Sequence, residues 1–197
     1  MRVAINALFW NQPATGSGQY VRRLVAHLAS QASDIELLLV TPRGQSLLHR
    51  PAGVRAVSSG AAVQHGLQKL AYEQGGFVRA ARRAGAALLH IPYFAPPRWP
   101  RLPMVVTIHD LIPLLLHGYR GNLLVRAYTA WACHAARKAD LVLTDSHAAA
   151  RDITEHLHLP AERVRVIYLA ADEAYHAAAT TPEEMMSAAR AHLGLPA

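Results

Sequence analysis

VVTIHDLIP, residues 105–113, decides how the chain is read. The β-branched run Val105-Val106-Thr107-Ile108 has the character of a buried strand. It stops at His109-Asp110, and the sequence turns apolar again at Leu111-Ile112. An imidazole and a carboxylate are costly inside a core. They are at home at the carboxyl end of a strand in an open α/β sheet, where loops diverge and ligands bind. Taken alone, the pair also fits a hydrogen-bonded loop histidine beside an aspartate that caps the next turn.

The pattern around this stretch repeats along the chain. Short apolar runs predict strands at 2–8, 35–40, 54–57, 87–91, 104–108, 141–144 and 164–168, most of them near-continuous in apolar residues, as strands covered on both faces are. Between them lie helix candidates at 18–30, 63–84, 122–139 and 147–157. Strand and helix in alternation predict a parallel sheet with right-handed crossovers, an α/β Rossmann-like sheet flanked by helices. Leu124, Tyr128 and Trp131 on the third helix read as core residues, and His134 among them as structural.

The chain has 197 residues, 52% hydrophobic and 17% charged, enough to bury a core. Its single cysteine, Cys133, excludes an internal disulfide and fits a reducing compartment. No run approaches the roughly 18 apolar residues of a membrane span. The net charge is +7, nearly all from arginine, since Lys69 and Lys138 are the only lysines. That surplus favours anionic partners. The basic pairs Arg22-Arg23, Arg82-Arg83 and Arg137-Lys138 are dispersed and lack interleaved aromatics, so nucleic acid is not an expected partner. An anionic membrane surface is the more attractive partner, and a coding bias spread over solvated faces explains the surplus equally.

Two further strand ends could carry chemistry. After the first strand, Gly16-Ser17-Gly18 leads into a helix, where exposed backbone N–H groups suit phosphate or sugar oxygens. Val21 stands where a dinucleotide fingerprint has its third glycine, and a plain structural turn fits these residues equally. After strand 141–144, Asp145-Ser146 supplies a helix N-cap. Twelve histidines offer no H-E-x-x-H, so no metal site is expected, and Cys133 reads as a small buried apolar residue. Near the end, Thr181-Pro182 with Glu184 forms a capping box for a helix that should stop at Gly194.

The segments "TGSGQYVRRLVAHL", "LLHIPYFAPP", "MVVTIHDLIPL", "ADLVLTDSHAAARDI" and "ERVRVIYLAAD" together resemble the N-terminal half of GT-B glycosyltransferases, specifically glycosyltransferase family 4. The resemblance implies a retaining hexosyltransferase, mannosyltransferase-like, of the kind used in polysaccharide biosynthesis. It implies a nucleotide-diphospho-sugar co-substrate, such as GDP-mannose or a UDP-sugar, and no other cofactor. It makes His109 the catalytic candidate, contacting the transferred sugar, and assigns substrate binding to Gly16, Ser17, Gly18, Asp110 and Tyr93, with Phe94 beside the last. The acceptor would be a glycan or a lipid-linked sugar, and the location cytoplasmic, with peripheral contact at the inner face of the membrane. By the same resemblance, residues 1–172 form the acceptor-side domain, and 173–197 a linker and helix leading to a C-terminal donor domain outside this chain. No two glutamates lie eight residues apart, so the family's Glu-x7-Glu donor motif has no counterpart. The chain alone is therefore expected to be inactive. The alternative is a stand-alone, non-catalytic Rossmann-like module that binds a glycan or a nucleotide.

Overall fold

A computed structural model describes residues 1–119, 121–171 and 183–194. It divides into two compact units, Met1–Ile167 and Tyr168–Ala197. The first contains seven strands: β1 Arg2–Asn6, β2 Glu36–Thr41, β3 Arg55–Ser58, β4 Leu88–Ile91, β5 Met104–Thr107, β6 Leu141–Thr144 and β7 Val164–Val166. They form one sheet in the order β3-β2-β1-β4-β5-β6-β7. Every neighbouring pair is parallel. The strand order reverses between β1 and β4, so their carboxyl ends open the crevice where such sheets bind ligands.

The pleat sorts side chains to two cores. On one face Val3, Ile5, Leu37 and Leu39 pack with Val21 and Val25 of α1, Gly16–Gln31. On the other, Ala4, Leu38, Leu89, Met104, Val106 and Val142 meet three helical segments. These are α3 (Phe77–Arg83), α5 (Leu123–Ala136) and α6 (His147–Leu157). The covered strands are the continuous apolar runs of the sequence.

Several boundaries differ from expectation for local reasons. β1 ends at Asn6 and not near Leu8, because the buried Asn6 Oδ1 accepts the Leu8 N–H at 3.1 Å and turns the chain. α1 begins two residues early, since Thr15 is its N-cap and accepts from Gly18 N–H. The predicted helix 63–84 is broken into α2 (Gly66–Ala71), a π-helical turn Tyr72–Gly76, and α3. That turn is pinned on three sides. Tyr72 donates to Val40 O at 2.7 Å, Tyr128 donates to Glu73 at 3.0 Å, and Gln74 holds both Pro96 O and Arg98 N–H. One short helix, α4 (Ile112–Leu115), was not expected.

α5 corrects a packing expectation. Its buried stripe is Thr129, Ala132, Cys133, Ala135 and Ala136, small residues that let the helix lie close to the sheet. Leu124, Trp131 and His134 are exposed, not core. In the second unit, α7 (Glu183–His192) is followed by Gly194 at φ +64°, the left-handed stop that the sequence called for. Thr181, Pro182 and the expected linker lie outside the described residues. Among the described residues no helix is long and apolar enough to cross a membrane.

Candidate active site

Two loops and one helix at the carboxyl edge of the sheet converge on His109. It leaves β5 two residues after Thr107, and its Nδ1 lies 2.6 Å from Asp145 Oδ2, just beyond β6. Because β5 and β6 are neighbours in register, Thr107 pairs with Leu143, and the two strand ends deliver the pair side by side. Ser146, not Asp145, caps α6, accepting the Ala149 N–H at 3.1 Å. The Asp145 carboxylate is thereby left for the imidazole.

The third contributor is α1. Tyr20, one turn into the helix, sets its ring edge-on to His109 with centroids 4.8 Å apart. Its hydroxyl lies 3.2 Å from Thr107 Oγ1, which in turn lies 3.0 Å from His90 Nε2. Burial raises the Tyr20 pKa, opposed by the Thr107 hydrogen bond and assisted by the Asp145 charge, so the hydroxyl stays a donor. Burial lowers the His90 pKa to about 4, so that imidazole is neutral near pH 7. His90, Thr107 and Tyr20 thus form a neutral polar chain beneath an ionisable His–Asp pair.

The consequence for His109 is geometric. Its side chain is 27% exposed and that of Asp145 21%. In the neutral tautomer whose Nδ1–H donates to Asp145, the lone pair sits on Nε2. Nε2 is buried and has no hydrogen-bond partner among the described residues. An orphaned buried nitrogen costs about 1–3 kcal/mol, and a ligand hydroxyl donating to it would recover that loss. The Nδ1–Asp145 contact fixes the imidazole beside the carboxyl ends of β5 and β6.

The glycine loop splits into two roles. A Cβ on Gly18 would lie 2.0 Å from Gln12 O, so that residue is glycine because backbone crosses it. Gly16 has nothing within 4 Å of such an atom. At a helix start the N–H groups of Gly16 and Ser17 have no intrahelical acceptor, and Gly16 is exposed. Asp110 is exposed and accepts the Ile112 N–H at 2.9 Å, tying down the turn after His109. Tyr93 stands apart from this cluster. It is 6% exposed and packs edge-on against Phe9 at 4.8 Å, next to the buried Glu73.

Sequence reasoning missed Tyr20 and the partnership of Asp145 with His109. Asp145 was legible as half of a capping pair at a strand end where a ligand could bind, and its partnership with His109 needed the β5–β6 adjacency. Among the described residues no group of three or more His, Cys, Asp or Glu is placed to hold a metal. Cys133 is buried and its thiol pKa is raised by desolvation.

The sequence profile of Glycosyltransferase Family 4 matches residues 14–175. Among solved structures, a sucrose-phosphate synthase chain from Thermosynechococcus elongatus is similar at TM-score 0.55 and 17% identity, over 87% of this chain and 91% of that one. HepE from Anabaena, determined with UDP and glucose, is similar at TM-score 0.56 and 16% identity, over 98% of this chain and 50% of that one. The UDP-GlcNAc 2-epimerase of Methanocaldococcus jannaschii is similar at TM-score 0.52 and 8% identity, over 85% of this chain and 45% of that one. The chain spans about half the length of the last two. At these identities the likenesses establish a shared GT-B-type Rossmann-like fold and no more. No curated protein matches the sequence significantly.

Proposed function

The chain belongs to glycosyltransferase family 4, and from that premise we propose that it is the acceptor-side half of a retaining glycosyltransferase. It would work on a nucleotide-sugar donor and a glycan or lipid-linked acceptor, with the donor held mainly by a second GT-B domain. The observation that carries this reading is His109, anchored through Nδ1 by Asp145 and left with an unpartnered Nε2 at the carboxyl edge of β5.

In the proposed reaction the acceptor hydroxyl attacks the anomeric carbon as the bond to the diphosphate breaks. The acceptor proton passes to the departing diphosphate. His109 Nε2 would bind a hydroxyl of the transferred sugar and fix the ring for attack, an orientation effect. Gly16 and Ser17 N–H groups would meet the growing negative charge of the leaving group, the larger electrostatic contribution. Asp145 and Tyr20 act through His109 by holding its ring. Which sugar moves is left to the donor domain. A mannosyl donor and a role in polysaccharide synthesis belong to this reading, as do cytoplasmic placement and contact with a membrane that carries the acceptor.

The test is sugar transfer from a panel of UDP- and GDP-sugars, measured for the 197-residue chain alone and for the chain joined to a family 4 donor domain. Turnover by the joined protein and none by the chain alone is expected. Robust transfer by the chain alone would overturn the half-enzyme reading. Acceptor binding without turnover in either form would favour the non-catalytic module.

A further inference from the structure

The segment leaving the site exposes apolar side chains where a water-facing helix would be polar. On α5, Leu123 and Leu124 are 77% and 79% exposed, and residues 123–127 are exposed all round. Leu116 and Tyr119 are exposed just before them. By contrast, α6 turns Arg151, Glu155 and His156 outward. Further along α5, Trp131 stands 6.5 Å from Trp99, and the Arg98 guanidinium lies 5.0 Å and 5.1 Å from the two rings. Trp99 itself is 56% exposed.

Charge selects the occupant. From Leu111 to Ala139 the sequence has no Asp or Glu, while it carries Arg120, Arg126, Arg137 and Lys138. Arg126 among the protruding aliphatic side chains, and Arg98 between the indoles, fit a surface that is anionic at its boundary and apolar just beneath. A protein partner would need a groove for a helix end that is exposed on every side. Nucleic acid offers nothing to Leu123 and Leu124. Indoles with a stacked guanidinium are suited to the headgroup level, where one end of a side chain is apolar and the other wet.

We propose that the first turns of α5, with Leu116, Tyr119 and the Trp99–Arg98–Trp131 stack, dock this domain on an anionic lipid surface, Leu123 and Leu124 entering the acyl boundary. The segment follows β5 directly after His109, so docking would bring the crevice to the membrane. This deepens the lipid-linked-acceptor reading above, yet its physical test needs no sugar.

That test is co-sedimentation of the chain with phosphatidylcholine vesicles, with and without phosphatidylserine. Because Leu123, Leu124 and Arg126 are exposed, their replacement leaves the fold intact, which circular dichroism checks. Wild type should bind the anionic vesicles and release in salt. Leu123→Ser with Leu124→Ser should weaken binding on the order of tenfold or more, and Arg126→Ser by about fivefold. Absence of binding to anionic vesicles at low salt, or equal binding by the double variant, would overturn the proposal. So would a wild-type dimer that the double variant abolishes, since a second copy would then cover the patch. Vesicle binding with no transfer by the joined protein would leave this surface standing and remove the transferase reading. The reverse result would do the opposite.

Discussion

Gly18→Ala should unfold the entrance to the site while Gly16→Ala, two residues away, should not. At Gly18 an added Cβ would sit 2.0 Å from Gln12 O, 2.7 Å from Gln12 C and 2.8 Å from Phe9 O, all backbone atoms. Ordinary contact requires about 3.4 Å, so the loop between β1 and α1 must move by more than 1 Å, breaking the Thr15 cap that Gly18 N–H serves. Overpacking against side chains costs about 1–3 kcal/mol. Against backbone, with a cap of about 1 kcal/mol lost as well, we expect about 3 kcal/mol or more. For a chain of this size that is a fall in Tm of about 6–12 °C. At Gly16 the new methyl meets nothing and φ is not positive, so replacing glycine in a helix turn should leave Tm unchanged or raise it slightly. Thermal unfolding by circular dichroism separates the two. A Gly18→Ala protein melting within about 2 °C of wild type would refute the close crossing of backbone, and with it the structural reason for glycine at this position.

Other consequences follow from the buried ionisable groups. His90 titrates at about 4 when folded and near 6.5 when unfolded. The unfolded chain therefore binds the extra proton between those values. Stability should be fully present above pH 6.5 and fall by about 3 kcal/mol as pH drops to about 4. His90→Gln should flatten that loss in denaturant titrations across the window, and an unchanged slope would show that His90 is not the cause. Burial, opposed by Lys69 and the Tyr128 hydrogen bond, raises the Glu73 pKa. A raised carboxyl pKa favours folding at low pH and is lost as pH rises through the folded value. Glu73→Gln, which still accepts from Tyr128, should thus raise Tm at neutral pH and change it less in acid; a lower neutral Tm would mean the Lys69 pair outweighs burial. In the joined protein Asp145→Asn should lower turnover at least about tenfold and shift the His109 ring-nitrogen tautomer seen by NMR. A tautomer that does not move would deny Asp145 its positioning role.

The sheet was legible because its central strands are buried on both faces. Runs such as Leu37-Leu38-Leu39-Val40 and Val105-Val106-Thr107-Ile108 have little alternation to confuse. What misled was local. Asn6 reads as a pause inside a strand, but its side chain ends β1 by bonding Leu8 and Tyr72. The π turn at Tyr72–Gly76 depends on partners 22 to 55 residues away, Pro96 and Tyr128 among them, so helical periodicity could not foretell it. At the site, His109 was visible as a polar interruption at a strand end, and Asp110 as a turn cap. The partnership of Asp145 and Tyr20 with His109 was not, because its meaning lies in which strands and helices are neighbours. Leu124 and Trp131 matched a core pattern, and only the small-residue stripe beneath α5 shows that the sheet is reached without them.

The most direct test of the central claim is the steady-state turnover of His109→Ala in the joined protein, set against its KM for the donor. A fall in kcat on the order of a hundredfold, with KM within about threefold, is expected from the proposed contact of Nε2 with the sugar at the reacting centre. An unchanged kcat would remove His109 from the site, and with it the observation on which the proposed function stands.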